Sequence, residues 1–368
     1  MGLQGSNSPA QRHEDRSDCD QKRRNLEAES NDPEMDSNTT DVHIRLHNDN
    51  NLFSNEKEKA EFFVRYRGKS YEISDLLKKH PGGRGTLGSF KGLALDKIMT
   101  EVPHSDAALH LMEEFVVDNQ RKYDDIENLI DWNEPVLGQV GKIADRYWEW
   151  VNLPVNRSMR LFKSDFMESL TITPWYMIPI VWIPASILFL FLGIKTNNSA
   201  DFPYAFPAVL LSVVLGLFNW TILEYVIHRN LFHLKPPANS RTLITLHFVL
   251  HGVHHKAPFD DRRLLFPPVP AILVAAIFFK IYSAVLPDAI VYLVASGTMT
   301  GYFCYDLMHY YLHHGSPKAE SYLYVMKRYH NHHHFSHHDQ GFGISSRLWD
   351  FVFGSLIKLK QLKKAIVW

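Results

Sequence analysis

Residues 206–233 read FPAVLLSVVLGLFNWTILEYVIHRNLFH, and this stretch decides the architecture of the 368-residue chain. Its first part, residues 206–225, is mainly apolar and has the length of ~20 residues that a bilayer-spanning helix needs. Its end carries His228 and His233, whose imidazoles need polar partners wherever they are buried. The stretch therefore predicts a membrane helix that delivers paired imidazoles to one membrane face.

Other apolar runs cover residues 175–194, 269–286 and 289–305. Together with residues 206–225 they predict an all-α membrane domain with about four transmembrane helices and a His-rich metal-binding cap. The alternative, buried helices of a soluble protein, is disfavoured because Trp and Tyr flank the runs.

Basic residues are concentrated between the second and third apolar runs. They are Arg229, Lys235, Arg241, Lys256, Arg262 and Arg263. The turn between the first two runs holds only Lys195. The positive-inside rule therefore predicts a multi-pass membrane protein with cytosolic termini and a cytosolic His-rich cap.

The rest of the chain divides by composition. Residues 1–51 are polar and predict a disordered tail. Residues 52–120 mix short strand and helix patterns and predict a small α+β domain. Residues 121–170 contain several aromatic residues, so we expect a linker that packs on the membrane domain at 171–368.

A haem motif lies in the α+β domain at His80-Pro81-Gly82-Gly83, with His104-Ser105 further on. A six-coordinate haem needs two neutral imidazoles on opposite faces, each on a rigid support. The Pro-Gly-Gly turn fixes the path after His80, and a helix predicted from Ala107 supports His104. We therefore predict that His80 and His104 ligate haem b, which would carry electrons and leave no axial position open for oxygen.

Fifteen of the 21 histidines lie between His228 and His338, a density that packing does not explain. After His228 and His233 come three more groups. They are His251-Gly252-Val253-His254-His255, His309 with His313, and His330-Asn331-His332-His333-His334. Residues three and four apart share one helix face, so each group can reach one metal. The groups offer about five ligands to each of two metals, more than a tetrahedral zinc takes. Spacing leaves open whether His332 or His333 is a ligand.

Other polar residues are candidates for supporting roles. Glu224 and Asp306 lie near the histidine groups. Each could accept a hydrogen bond from the ring N–H of a ligand histidine, on the side away from the metal. We expect the remaining nearby histidines to lie behind the ligands or on the surface; they are His247, His314, His332, His337 and His338. His110 is expected on the surface.

Composition excludes some functions. The formal net charge is −1, which gives no electrostatic reason to expect a nucleic acid partner. The two cysteines, Cys19 and Cys304, lie in unlike surroundings and do not predict a disulfide.

The motifs resemble two known families. The haem motif and Gly68-Lys69-Ser70-Tyr71 resemble cytochrome b5. The histidine groups resemble the fatty acid hydroxylase and sterol desaturase superfamily. Asp131-Trp132, Arg160-Leu161-Phe162-Lys163-Ser164-Asp165 and Gly341-Phe342-Gly343-Ile344-Ser345-Ser346 are similar to fatty-acid 2-hydroxylases in particular, as is the domain order. The resemblance implies ten metal ligands: His228, His233, His251, His254, His255, His309, His313, His330, His333 and His334.

The same resemblance implies hydroxylation at C2 of long and very long acyl chains destined for sphingolipids, in the endoplasmic reticulum. The substrate would be a fatty acid, an acyl-CoA or a ceramide. O2 would react at two iron ions, with electrons delivered through the fused haem. Since imidazole also suits zinc, the purified protein could hold zinc instead. A dinucleotide fingerprint is missing from the sequence, so a separate NAD(P)H-dependent reductase would supply the electrons.

Three alternatives account for part of this pattern. An acyl desaturase or sterol oxidase could use the same scaffold, but the 2-hydroxylase-like segments favour hydroxylation. A membrane zinc hydrolase would explain the metal ligands without the haem. A non-catalytic electron carrier would explain the haem without the ten histidines.

Overall fold

The computed structural model describes residues 61–117, 126–362 and 365–368. The predicted tail at residues 1–51 lies outside them.

The haem-motif domain begins with an antiparallel hairpin of β1 (Phe63–Tyr66) and β2 (Lys69–Glu72), which pairs Val64 with Tyr71. Both side chains of this pair are buried, and they form the centre of the domain's apolar core. Four short helices follow the hairpin: α1 (Ser74–Lys79), α2 (Arg84–Leu87), α3 (Asp96–Glu101) and α4 (Asp106–Met112). His80 ends α1, and His104 precedes α4, whose N-terminus Ser105 caps by accepting from the Ala108 N–H.

Residues 126–170 carry three short helices, α5 (Leu137–Val140), α6 (Tyr147–Val151) and α7 (Asp165–Ser169). The aromatic residues that follow the haem-motif domain are packed into a core. Trp150 and Tyr147 are buried in one apolar cluster with Ile244 and Phe248. This cluster anchors residues 126–161 to the histidine-bearing part of the chain.

Four long helices form the bundle: α8 (Met177–Asn198), α9 (Phe206–Ile227), α12 (Pro268–Val285) and α13 (Asp288–His314). Three stretches of the described chain are long and apolar enough to cross a membrane: Met177–Asn198, Phe206–Phe232 and Pro268–Val285. Their outward faces expose apolar side chains such as Ile187, Leu211 and Ile277. The chain is therefore a membrane protein.

The predicted fourth membrane span, residues 289–305, differs from the other three. Residues 289–305 do form a helix, α13, but it is not among the helices apolar enough to be candidate spans. The reason is its polar content, which includes Ser296, Thr298 and Thr300. Serine 296 is buried and donates to the Ser186 carbonyl on α8. Polar groups of α13 are thus satisfied inside the bundle rather than exposed to lipid.

The helices α9 and α13 touch at a pair of glycines. A Cβ on Gly297 would lie 2.1 Å from the Val213 carbonyl oxygen, and one on Gly216 would lie 2.2 Å from the Val294 carbonyl oxygen. Only glycine permits so close a backbone approach, which is common where membrane helices pack.

The histidine-bearing cap is built from short segments at one end of the bundle. Two π-helical segments, His228–Phe232 and Phe248–Gly252, adjoin α10 (Arg241–His247) and α11 (Val253–Lys256). Helix α14 (Tyr322–Phe335) brings the last histidine group against them, and α15 (Leu348–Val352) follows it.

Candidate metal centre

The two histidines of the haem motif face each other as the motif predicts. Their ring centres are 6.2 Å apart with 26° between the planes. Two imidazoles bound on opposite sides of one metal at about 2 Å have ring centres roughly 6 Å apart. The pair therefore has the spacing that an iron between its members requires.

Hydrogen bonds select the ligand atom of each ring. Nδ1 of His80 lies 3.2 Å from the Gly83 carbonyl oxygen, and Nδ1 of His104 lies 2.9 Å from that of Val102. A carbonyl only accepts, so Nδ1 carries the proton in both rings and Nε2 is left as the basic nitrogen. Burial, with a smaller contribution from nearby His104, lowers the pKa of His80 to about 4 against the raising effect of the Gly83 carbonyl, so the ring is neutral and able to ligate.

The histidines of the cap converge as two groups of five. Within each group one candidate ligand atom per residue lies within 4.8 Å of all the others. The first group is His228, His233, His251, His255 and His333. The second group is His254, His309, His313, His330 and His334. All ten histidines of the predicted set are present, and His333 rather than His332 is the member from the last motif.

The spacing of the nitrogens suits a shared metal. The Nε2 atoms of His228 and His251 are 3.1 Å apart, as are those of His233 and His333. In the second group, Nε2 of His330 lies 3.0 Å from that of His309. Two imidazole nitrogens bound side by side to one metal at about 2.0–2.1 Å are roughly 3 Å apart.

Unpartnered nitrogens give a second test of fit. Both ring nitrogens of His254 and of His255 are buried, and neither has a hydrogen-bond partner among the described residues. Buried polar atoms rarely lack a hydrogen-bond partner, and a bound metal would satisfy one nitrogen of each ring. Burial, together with neighbouring histidines, holds the pKa of His251, His254 and His255 well below the usual range. The rings are therefore neutral, as ligation requires.

The two groups are neighbours. The rings of His255, in the first group, and His334, in the second, are 4.3 Å apart centre to centre. His254 and His255 are consecutive on α11, yet they serve different groups. The arrangement therefore suits two metals side by side rather than two separate sites.

A change of helix type explains the spacing of the first motif. His228 and His233 are five residues apart, which on an α-helix would place them on different faces. The segment His228–Phe232 is π-helical, and the His233 N–H donates to the His228 carbonyl at 3.0 Å. A π turn brings residues five apart into line, and such turns are frequent at functional sites.

Backbone carbonyls after α14 orient two imidazoles of the first group by accepting from their Nδ1 atoms. Nδ1 of His228 donates to the Phe342 carbonyl, and Nδ1 of His333 donates to the Gln340 carbonyl, both at 2.6 Å. Both bonds leave Nε2 free for a metal.

Two buried carboxylates hold the segment that supplies the Phe342 carbonyl. Asp350 accepts from the Phe342 N–H at 2.9 Å and the Gly343 N–H at 2.8 Å. Glu224 accepts from the N–H groups of Ile344 and Ser345, both at 2.7 Å. Glu224 was expected to accept a hydrogen bond from an imidazole. Its carboxylate instead accepts from backbone N–H groups of the 341–346 segment, which corrects that expectation.

Asp306 is buried on α13, one turn before His309. The described residues offer no hydrogen-bond partner to its Oδ2, so the imidazole bond expected there is not formed through this atom. The five histidines expected outside the ligand set belong to neither group. His247 is buried, and its Nδ1 lies 2.6 Å from the Tyr147 hydroxyl.

Sequence reasoning missed a buried polar network beside the second motif. Lys256 is fully buried next to His255 and donates to Glu127 at 2.6 Å. Glu127 also pairs with His110 at 2.8 Å, so the expectation that His110 lies on the surface is wrong. The network joins α4 of the haem-motif domain to α11. A lysine next to a predicted ligand, His255, was its only sign in the sequence.

An apolar cavity of about 520 Å³ reaches the histidines from within the bundle. Its walls include Phe278, Phe279 and Ala295, while His251, His254 and His309 lie on its lining. Cavities of this size hold small and medium-sized ligands. The lining fits an apolar chain with one end beside the imidazoles.

Fold and site together define a class: a membrane protein with a candidate dinuclear metal centre, fused to a domain with two opposed histidines. Comparison with known proteins agrees. Residues 213–355 match the fatty acid hydroxylase family, and residues 48–120 match the cytochrome b5-like heme/steroid binding domain.

Curated relatives narrow the class. Fatty acid 2-hydroxylase of Macaca fascicularis is 39% identical, with 81% of this chain and 92% of that protein covered. A dihydroceramide fatty acyl 2-hydroxylase of Arabidopsis thaliana is 40% identical over 64% of this chain and 96% of that protein. The solved structure of full-length scs7p, in which only the hydroxylase domain is visible, is 31% identical with a TM-score of 0.59. It covers 68% of this chain and 93% of that one. The chain belongs to the fatty acid 2-hydroxylase family.

Proposed function

We propose that this chain hydroxylates C2 of long and very long acyl chains that enter sphingolipids. The reaction converts one C2–H bond to C2–OH, consumes O2, two electrons and two protons, and releases one water. The observation that carries the proposal is the apolar cavity that has histidines of both groups on its lining.

We assign the ten histidines as ligands of two metals, and His80 and His104 as axial ligands of haem b. Iron is the expected native metal, because zinc lacks redox chemistry. Two bound irons would supply the activation of O2 that breaking an unactivated C–H bond needs. A separate NAD(P)H-dependent reductase would reduce the haem.

We propose that the chain lies in the endoplasmic reticulum membrane. Helix α13 packs along α8 and α9, so we propose that it crosses with the three apolar helices. Four crossings and the basic residues of the cap favour cytosolic termini. We propose four parts of the chain: a tail at residues 1–51, the haem domain at 52–120, a linker at 121–170 and the membrane domain at 171–368.

The polar groups of the cavity favour a neutral acyl head group. Arg263 is the only lysine or arginine in the described lining, and both Glu168 and Asp260 pair with it. Its charge is therefore already compensated, so it offers no net positive charge to an acyl head group. A free carboxylate near it would face two anions, whereas an amide or ester carbonyl is neutral. We propose that a ceramide fits this lining better than a free acid.

The test is mass spectrometry of sphingolipid acyl chains in cells that lack their own 2-hydroxylase. Expression of this chain should add one oxygen at C2, and expression of the His251→Ala variant should not. A new double bond or an oxidised sterol would instead favour the desaturase or sterol oxidase alternative. Purified enzyme with reductase, given ceramide or free acid in turn, decides the substrate form. Faster turnover of the free acid would contradict the preference for a neutral head group.

A further inference from the structure

The Pro81 carbonyl, next to His80, receives two N–H donors from distant parts of the chain. Trp368 Nε1 donates to it at 3.0 Å, and Asn331 Nδ2 donates at 3.4 Å. Asn331 follows His330, a member of the second metal group. One carbonyl oxygen therefore links the haem motif to the helix that carries metal ligands.

Residues 365–368 fill the space between that turn and α14. Gly83 has a positive φ of 82°, and a Cβ there would lie 2.5 Å from both the Ile366 side chain and the Val367 carbonyl oxygen. The Gly85 N–H donates to the Val367 carbonyl at 3.4 Å. The backbone of this segment is thus in direct contact with the haem turn, residues 80–85.

The other side of the segment rests on α14. Trp368 is buried, and its ring centre is 5.1 Å from that of Tyr324. The Tyr324 hydroxyl accepts from the Ile366 N–H at 2.8 Å. The Lys327 ammonium lies 5.2 Å from the Trp368 ring and donates to the His313 carbonyl at 3.0 Å. These contacts tie the segment to α13 and α14, two of the three helices that supply the second metal group.

We propose that residues 365–368, with Asn331, form a latch that holds the haem turn against α14, so that electrons leave the haem beside the second histidine group. The proposal rests on the function proposed above. One route runs from His80 through the Pro81 carbonyl and one hydrogen bond to Asn331 and His330. Trp368 is a positioning residue, because it acts on the haem turn and touches no reacting atom. The two electrons per turnover come from the reductase, and the latch only sets where they pass.

A fused donor already has a high effective concentration, but fusion alone does not fix its orientation. Loss of one ordinary hydrogen bond shifts a docking equilibrium by about fivefold. Trp368→Phe keeps most of the ring and loses the N–H, while Trp368→Ala loses both. Trp349→Phe is the matched control, because Trp349 Nε1 makes a bond of the same 3.0 Å length to Thr221 Oγ1, away from the haem turn.

The experiment uses full-length protein with reductase, haem and metal content measured for every variant. Hydrogen exchange of the 83–87 amides reports docking directly and needs no turnover. Stopped-flow absorbance separates haem reduction by reductase from haem reoxidation with substrate and O2. We expect amide exchange about fivefold faster in Trp368→Phe and faster still in Trp368→Ala, with reoxidation slowed in the same order. Reductase-driven haem reduction, the haem spectrum and substrate KM should stay at wild-type values.

Wild-type exchange and reoxidation in Trp368→Phe would overturn the latch. So would equal effects in Trp349→Phe, because the loss would then be general. If Trp368→Ala does not fold, Trp368→Phe still decides the question. Absence of any 2-hydroxy product from the wild-type chain would refute the proposed function instead, and the exchange data would still report on docking.

Discussion

Lys256 and Glu127 form an ion pair of 2.6 Å, with side chains 0% and 2% exposed. Lys256 also donates to the carbonyls of Trp150 and Leu153, so its ammonium is saturated by three acceptors. Burial lowers the pKa of Lys256 to about 8, against the raising effect of Glu127. The pair fixes residues 126–153 to α11, where His254 and His255 diverge into two metal groups.

Removing one partner of this pair should therefore be costly. Among the described residues, Lys256→Met leaves the buried Glu127 carboxylate with only His110 as a partner, and we expect a loss of about 3–5 kcal/mol in unfolding free energy. The double variant Lys256→Met with Glu127→Gln should lose less than Lys256→Met alone. The free energy of unfolding in detergent is measured for Lys256→Met and for the double variant. The control Arg146→Met breaks the exposed pair with Glu149 and should cost less than about 1 kcal/mol. Equal losses of unfolding free energy in Lys256→Met and Arg146→Met would contradict this expectation.

The two sites should be separable by mutation. His251→Ala removes a proposed ligand of the first group, so we expect oxidation to be abolished while the haem spectrum is intact. His80→Ala removes a proposed axial ligand, so the haem spectrum should disappear while the metal content is unchanged. Absorbance spectra and elemental analysis measure the two outcomes. If either variant lost both features, the two-site interpretation would be wrong.

Residue type and spacing predicted four histidine motifs, and members of all four converge in the two groups of five, but spacing left the choice between His332 and His333 open. They did not predict which histidine joins which group. His254 and His255 separate only because α11 lies between the two groups. The π turn at His228–Phe232 also escaped prediction, since an i,i+5 spacing does not by itself indicate a helix type.

Long-range polar contacts were harder to predict. Asp350 supports the 341–346 segment and Lys256 reaches Glu127, but neither has a periodic pattern around it. The apolar runs correctly predicted helices, yet α13 packs inside the bundle through polar residues that lower its hydropathy. Composition reports how apolar a helix is, whereas its partners decide which of its faces are covered.

Asp350 should tune the first metal group without touching it. Asp350→Asn removes the charge that holds the Phe342 and Gly343 N–H groups, which loosens the carbonyl that orients His228. Such supporting partners typically change metal affinity by about 10–100-fold. Metal retention during titration with a chelator measures the change. Asp339→Asn, on an exposed aspartate nearby, should retain metal like the wild type. If Asp350→Asn retained metal as well as the wild type does, Asp350 would not support the first group.

Cavity shape should set the acyl length of the product. Ala275 lines the cavity, so Ala275→Phe fills part of it and should shift 2-hydroxylated chains towards shorter lengths. Its neighbour Ala276 is exposed and lies outside the lining, so Ala276→Phe adds the same ring towards lipid. Mass spectrometry of product chain lengths compares the two variants. A shift in both, or in Ala276→Phe alone, would argue against the cavity as the acyl site.

The glycine contact between α9 and α13 should tolerate no side chain. Gly297→Ala places a methyl group 2.1 Å from the Val213 carbonyl oxygen and 3.0 Å from the Gly216 Cα, and backbone atoms yield only if the helices separate. Overpacking of this kind costs about 1–3 kcal/mol, more than the roughly 1 kcal/mol that Ala gains over Gly in a helix. We therefore expect a lower Tm in detergent and weaker metal retention, because α13 carries His309 and His313. Gly138→Ala is the control, since its Cβ would meet nothing within 4 Å. A Tm for Gly297→Ala at or above that of the wild type would show that the two helices can separate here at little cost.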